Sequence, residues 1–126
     1  MKMVHTEYSQ KGAGHYSAGV ISGNHLYISG QISRDPKTGK IPEGGIKPET
    51  TQALENIELV LKAAGLTKND VVMCQVYIPD PSYWADMNEA YASFFGEHKP
   101  ARVAVYTEAI KATCLIEIEA IAEIHE

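Results

Sequence analysis

An arginine and two glutamates stand in apolar company near the end of this sequence. Arg102 follows a proline turn in KPARVAVY, residues 99 to 106. Glu117 and Glu119 interrupt the oily run LIEIEAIA, residues 115 to 122. A guanidinium presents a planar fork that takes a carboxylate through two parallel hydrogen bonds, a geometry lysine cannot copy. A carboxyl group in apolar surroundings can hold or pass a proton near neutral pH. An arginine with a glutamate, and no metal ligands or activated nucleophile beside them, suits a small carboxylate whose electrophilic carbon water attacks directly. The same residues fit a partly buried salt bridge, the more common use of such a pair. Residue types alone leave both readings standing.

Strand geometry constrains how these groups meet. Side chains alternate, so Ile116, Ile118, Ala120 and Ala122 share one face while Glu117, Glu119, Ile121 and Glu123 share the other. Arg102 lies on one face with Ala104 and Tyr106. A simple hairpin about residues 110–111 would set Glu117 opposite Ala104, diagonal to Arg102. Without that pairing, the contact could instead form across a subunit boundary; the sequence leaves both arrangements open.

The remaining chain supplies a scaffold for two such strands. YSAGVISGNHLYISGQI reads as two strands joined by a tight turn at Gly23-Asn24. RDPKTGKIPEGGIKP reads as a long surface loop. Pro48 suits a first helical position, with Ala53, Leu54, Ile57, Val60, Leu61 and Ala64 at helical spacing and Gly65 as the C-terminal cap. VVMCQVYI, residues 71 to 78, is a nearly continuous apolar run that suits a strand covered on both faces. A second helix is expected from Asp80 as N-cap, with Pro81 behind it, to Gly96. Its apolar stripe takes Trp84, Met87, Tyr91 and Phe94 or Phe95, with Asn88 among them. An amide on that stripe is most simply bonded to nearby loop backbone; the sharper reading makes it a site residue.

The order β-β-β-α-β-α-β-β gives an α+β domain with both helices on one face of one sheet. The other face, this apolar, is expected to bury itself against further copies of the chain.

Composition narrows the function classes. The chain has 126 residues, enough for one domain, 1–126, with a packed core. Its formal net charge is −5 and it has no Lys/Arg cluster, which disfavours nucleic acid as a partner. The start has no apolar signal region, and no run is long enough for a membrane span, so a cytoplasmic protein is expected. The two cysteines, Cys74 and Cys114, read as buried free thiols in a reducing compartment. Five dispersed histidines lack metal-ligand spacing, and no phosphate-loop, dinucleotide or nucleophile-elbow motif occurs. Neither cofactor nor metal is expected. Tyr16, after the glycine-rich GAGHY approach, opens a strand, where edge packing is its plain role.

Four segments taken in order resemble the RidA/YjgF family of reactive-intermediate (enamine/imine) deaminases. They are GHYSAGV, YISGQI, MNEAYASFF, and PARVAVY followed by IEIEAIA, with fifteen positions from Arg102 to Glu117. The resemblance spans nearly the whole chain. It implies a chorismate-mutase-like fold and a homotrimer with three sites at subunit junctions. It also implies hydrolysis of 2-iminobutanoate and 2-iminopropanoate to the 2-keto acid and ammonia. Carried over by position, Arg102 would clamp the substrate carboxylate, and Glu117 would position water and relay its proton. Tyr16, Ser29, Gly30 and Asn88 match pocket-lining positions, and the backbone at Ala104 would meet the imine nitrogen.

The sequence departs from the family pattern at three places. Ala104 stands where many members carry cysteine, so a mechanism that uses a thiol there is excluded. Ile110-Lys111 replaces a common Leu-Pro, leaving that loop less restricted, and His15 replaces a proline before the tyrosine. These departures bear on substrate range more than on reaction type. The alternative is a non-enzymatic trimer binding small keto acids or other carboxylates as a sensor or interaction module. It would keep Arg102 and dispense with Glu117. An RNA-cleaving activity, reported for some relatives, fits the charge least.

Overall fold

The computed structural model of the chain describes residues 1–9 and 14–125; part of the glycine-rich approach to Tyr16 lies outside them. Six strands form one mixed sheet in the order β1-β2-β3-β6-β4-β5. They are β1 (Lys2–Val4), β2 (Gly19–Ser22), β3 (His25–Ile32), β4 (Val71–Ile78), β5 (Ala101–Tyr106) and β6 (Glu117–Glu123). Two helices, α1 (Ile46–Ala63) and α2 (Trp84–Phe95), pack on one face, as the element order predicts. The β2–β3 turn falls at Gly23-Asn24, and Gly23 takes a φ of 62°, which suits a hairpin turn with glycine at its first central residue.

The core forms where helix and strand periodicities converge. Leu26 and Ile28 of β3, Cys74, Val76 and Ile78 of β4, and Ile118, Ala120 and Ala122 of β6 meet Leu54, Ile57 and Leu61 of α1 and Met87, Tyr91 and Phe95 of α2. Helix α1 begins two residues before Pro48, which sits in the first turn, where a missing N–H breaks no helical bond. It ends as Gly65 allows: the Leu66 N–H reaches back to the Leu61 carbonyl at 2.8 Å with Gly65 at φ 77°.

Two expectations need correction. Asp80 does cap, its side chain accepting from the Ser82 N–H at 2.8 Å, but it caps a single 3₁₀ turn over Pro81–Tyr83, and α2 proper begins at Trp84. More consequential is the sheet order. The last two strands form no hairpin: β4 lies between them, parallel to β5 and antiparallel to β6. Within one chain β4 is covered on one face only, since Met73, Gln75 and Tyr77 remain partly exposed on the other. That open face also carries Tyr27, and edge strand β5 adds Val103 and Val105 at 43% and 39% exposure.

Candidate functional site: two half-sites on opposite sheet faces

Arg102 sits on β5 beside Cys74 of β4, and Cys74 in turn faces Ala120 of β6. Cross-strand partners share a face, so Arg102 points to the helix side. There its Nη1 donates to Asn88 Oδ1 at 2.8 Å. The guanidinium carbon lies 5.2 Å from the Trp84 ring centre and 4.9 Å from that of Tyr91, within cation–π range of both. Trp84, Asn88 and Tyr91 follow one another at four and three residues along α2, so a single helix stripe holds the arginine from three directions. Asn88 is exposed and serves Arg102, not a buried amide bonded to loop backbone.

The backbone beside this arginine is also available. Thr107 N–H donates to the Ile78 carbonyl at 2.9 Å, so alternate residues Val103 and Val105 turn their peptide groups toward β4. Those of Arg102 and Ala104 therefore face the free edge, because β5 is the last strand of the sheet. Beneath, burial pushes the Cys74 thiol up, so it carries little thiolate near neutral pH and is no nucleophile. Burial likewise raises the Tyr91 phenol well above its ordinary range.

Glu117 occupies the opposite face. Its register partners are Tyr77 on β4 and Ile32 on β3. The carboxylate leans over β3, where a methyl group added at Gly30 would overlap its Oε2. Only glycine leaves this notch open. The β3–β6 register shifts between Ile28 and Gln31, and this irregularity brings the Gly30 backbone under the acid. Ser29 is fixed at the same place: its N–H donates to the Ala18 carbonyl at 2.9 Å and its hydroxyl to the Ser17 carbonyl at 2.6 Å. With its proton committed, Ser29 can offer a ligand only a lone pair.

The neighbouring acid is engaged elsewhere. Tyr77 donates its hydroxyl proton to Glu119 at 2.5 Å, and that bond, with burial second, pushes the phenol up to about 12. Among the described residues, no hydrogen bond or ion pair engages the Glu117 carboxylate. Tyr16 precedes β2 instead of opening it, and is 66% exposed. It lines a cleft of about 400 Å³ together with Gly30, Gln31, Arg34 and Asn56.

The structure thus groups Arg102, Asn88 and Ala104 in one cluster, and Glu117, Gly30 and Ser29 in another, with Tyr16 lining the same cleft as Gly30. It does not bring the two clusters together within one chain. An in-chain Arg102–Glu117 ion pair is absent among the described residues. Sequence reading put Trp84 and Tyr91 on the apolar stripe; Tyr91 does lie in the core while Trp84 is exposed, and their spacing around Asn88 was the signal of a shared partner.

The sequence model of the Endoribonuclease L-PSP family matches residues 6–124. The chain belongs to that family, which is the RidA/YjgF family. Among RidA/YjgF relatives, a RutC family protein of Pyrococcus horikoshii is 51% identical over 121 residues, covering 96% of each chain. The 2-iminobutanoate/2-iminopropanoate deaminase of Escherichia coli K12 is 38% identical over 124 residues, again 96% of each. The crystal structure of Escherichia coli TdcF with bound serine superposes with a TM-score of 0.92 at 34% identity, covering 99% of this chain and 100% of that one. The family fold and the two-helix α+β sheet described above therefore agree.

Proposed function

We propose that the chain is a hydrolytic deaminase of reactive 2-imino and enamine acids, 2-iminobutanoate and 2-iminopropanoate among them, working in the cytoplasm without cofactor or metal. It acts as a homotrimer in which the Arg102 half of one subunit meets the Glu117 half of the next. The observation that carries this reading is that Arg102 is held in place by α2 while, among the described residues, the Glu117 carboxylate is left unpaired over Gly30, and neither neutralises the other.

Arg102 takes the substrate carboxylate through its remaining N–H groups, while Asn88 holds the guanidinium. The edge carbonyl at Ala104 accepts from the imine N–H. Glu117 accepts a proton from water as the oxygen bonds to C2, and the C=N π pair moves onto nitrogen. Returning that proton to the nitrogen gives the carbinolamine. Glu117 then takes the hydroxyl proton as the C=O forms and passes it to the departing nitrogen, so the C–N bond breaks to ammonia and the keto acid. An imine carbon is already electrophilic, so no covalent nucleophile is needed, consistent with Ala104 and an un-ionised Cys74.

The name of the Escherichia coli deaminase and the serine held by TdcF, a small molecule with a carboxylate, support this reading. A carboxylate-binding module needs only the Arg102 half; a free acid poised over Gly30 argues for chemistry. The family description also names an endoribonuclease, but a net charge of −5 speaks against phosphate binding.

The test is a coupled assay in which a threonine dehydratase generates 2-iminobutanoate in the presence of semicarbazide. Wild type should suppress semicarbazone formation and Arg102→Ala should not. Unchanged trapping by wild type would reject the deaminase reading for this substrate.

A further inference from the structure

Helix α1 carries a polar seam within its apolar face. Glu49, Gln52 and Asn56 follow at three- and four-residue spacing, and Glu49 and Asn56 are each only 6% exposed. None touches the reacting groups, yet each bond they make to the sheet side ends on a segment that carries Gly30 or Glu117. The Asn56 amide donates to the Ile32 carbonyl at 3.0 Å and the Arg34 carbonyl at 2.8 Å, and its Oδ1 accepts from Gln52 at 3.0 Å. Glu49 Oε1 accepts from the Ser33 hydroxyl at 2.7 Å and from the Leu115 N–H at 2.8 Å. Ile32 is the β3 register partner of Glu117, and Leu115 stands two residues before it.

Burying a carboxylate is costly, and a core that needed only packing would place an apolar side chain here. What Glu49 adds is one oxygen that fixes the end of β3 and the entry to β6 relative to each other. We infer that Glu49 is a positioning residue that sets the Glu117 carboxylate over the Gly30 notch, with Asn56 holding the β3 side of the same frame. The role of Glu117 in turnover rests on the deaminase reading; the positioning itself does not. Arg102 lies on β5, and none of the seam's bonds ends on β5 or α2, so the seam governs the acid and leaves carboxylate capture alone.

The test uses Glu49→Met, which keeps the length and removes the acceptor, and Glu49→Gln, which keeps an acceptor oxygen. Binding of 2-oxobutanoate, followed by the fluorescence of Trp84, the sole tryptophan, counts competent sites, so that kcat is expressed per site. Glu49→Met should lower kcat about tenfold with KM within about twofold, and Glu49→Gln should stay within about twofold of wild type in both. Ile57→Val, a core change on the same helix, controls for stability and should leave kcat per site unchanged.

A second readout needs no turnover: the carboxyl carbon resonance of Glu117, assigned by Glu117→Gln, should move in Glu49→Met and hold in Glu49→Gln. Displaced resonance with an inactive wild type would reject the deaminase reading and keep the positioning role. Wild-type kcat per site with an unmoved resonance in Glu49→Met would overturn the inference. If Glu49→Met does not fold, Ser33→Ala, which removes one of the two donors, should move the same resonance; an unmoved one would overturn it equally.

Discussion

Arg102 and Glu117 stand on opposite faces of one sheet, with β4 between their strands. Arg102 is gripped by Asn88, Trp84 and Tyr91, and Glu117 rests against Gly30. No rotamer change moves either through the sheet, so the proposed site, if it uses both, would draw them from different subunits.

Gly30→Ala is expected to displace Glu117 by crowding alone, because the added methyl meets the carboxylate. The atom met is the end of a flexible side chain, so the carboxylate yields by rotation and the fold loses little stability. Turnover should fall at least about tenfold while 2-oxobutanoate still binds. Steady-state kinetics beside fluorescence titration separates the two. A fully active Gly30→Ala would show that the notch has no part in catalysis.

Asn88→Ala removes the acceptor that orients Arg102. Hydrogen bonds to charged groups contribute about 1.5 kcal/mol or more, so KM should rise about tenfold, with a smaller change in kcat. Arg102→Lys, which keeps charge and loses the fork, should be worse than Asn88→Ala in kcat/KM. The reverse ranking would contradict bidentate carboxylate binding.

The connection from β5 to β6 stores strain. Ala112 and Thr113 both adopt positive φ, 60° and 65°, in the turn Lys111–Thr113. A β-branched residue is costly there, and glycine relieves the clash at some entropic cost. Thr113→Gly should therefore stabilise the fold by about 0.5–1 kcal/mol, raising Tm by about 2–4 °C. Unchanged Tm by calorimetry would locate no strain at this residue.

Tyr77 links stability to alkaline pH. Its folded pKa of about 12 exceeds the ordinary value of 10.0, chiefly through the bond to Glu119. The protonated phenol is thus favoured in the fold. Its contribution is fully present below pH 10 and is lost as pH rises toward about 12. Tm measured across this window should fall more steeply for wild type than for Tyr77→Phe. Parallel curves would mean that the bond to Glu119 does not persist in solution.

The parts of this architecture that depend on local pattern were legible in the residues. The β-branched run 71–78 is β4 to the residue, and alternation sorted Ile118, Ala120 and Ala122 from Glu117 and Glu119 correctly. Asp80 misled because its capping signal serves a 3₁₀ turn as well as an α-helix. What depended on distant partners was not legible. Nothing near Arg102 or Glu117 announces that β4 inserts between their strands. Asn88 meets a partner 14 residues away, and Glu49 spans 66 residues to Leu115. The resemblance named Arg102 and Glu117 together, but only the sheet order separates them by face.

Subunit complementation tests the central claim most directly. Arg102→Ala and Glu117→Gln, each inactive alone, are unfolded together, mixed in equal amounts and refolded. If a site takes its arginine from one subunit and its glutamate from the next, random trimers should regain roughly a quarter of wild-type activity. A site built within one chain cannot be repaired by mixing. A mixture as inactive as its parents, though trimeric and folded, would contradict the account.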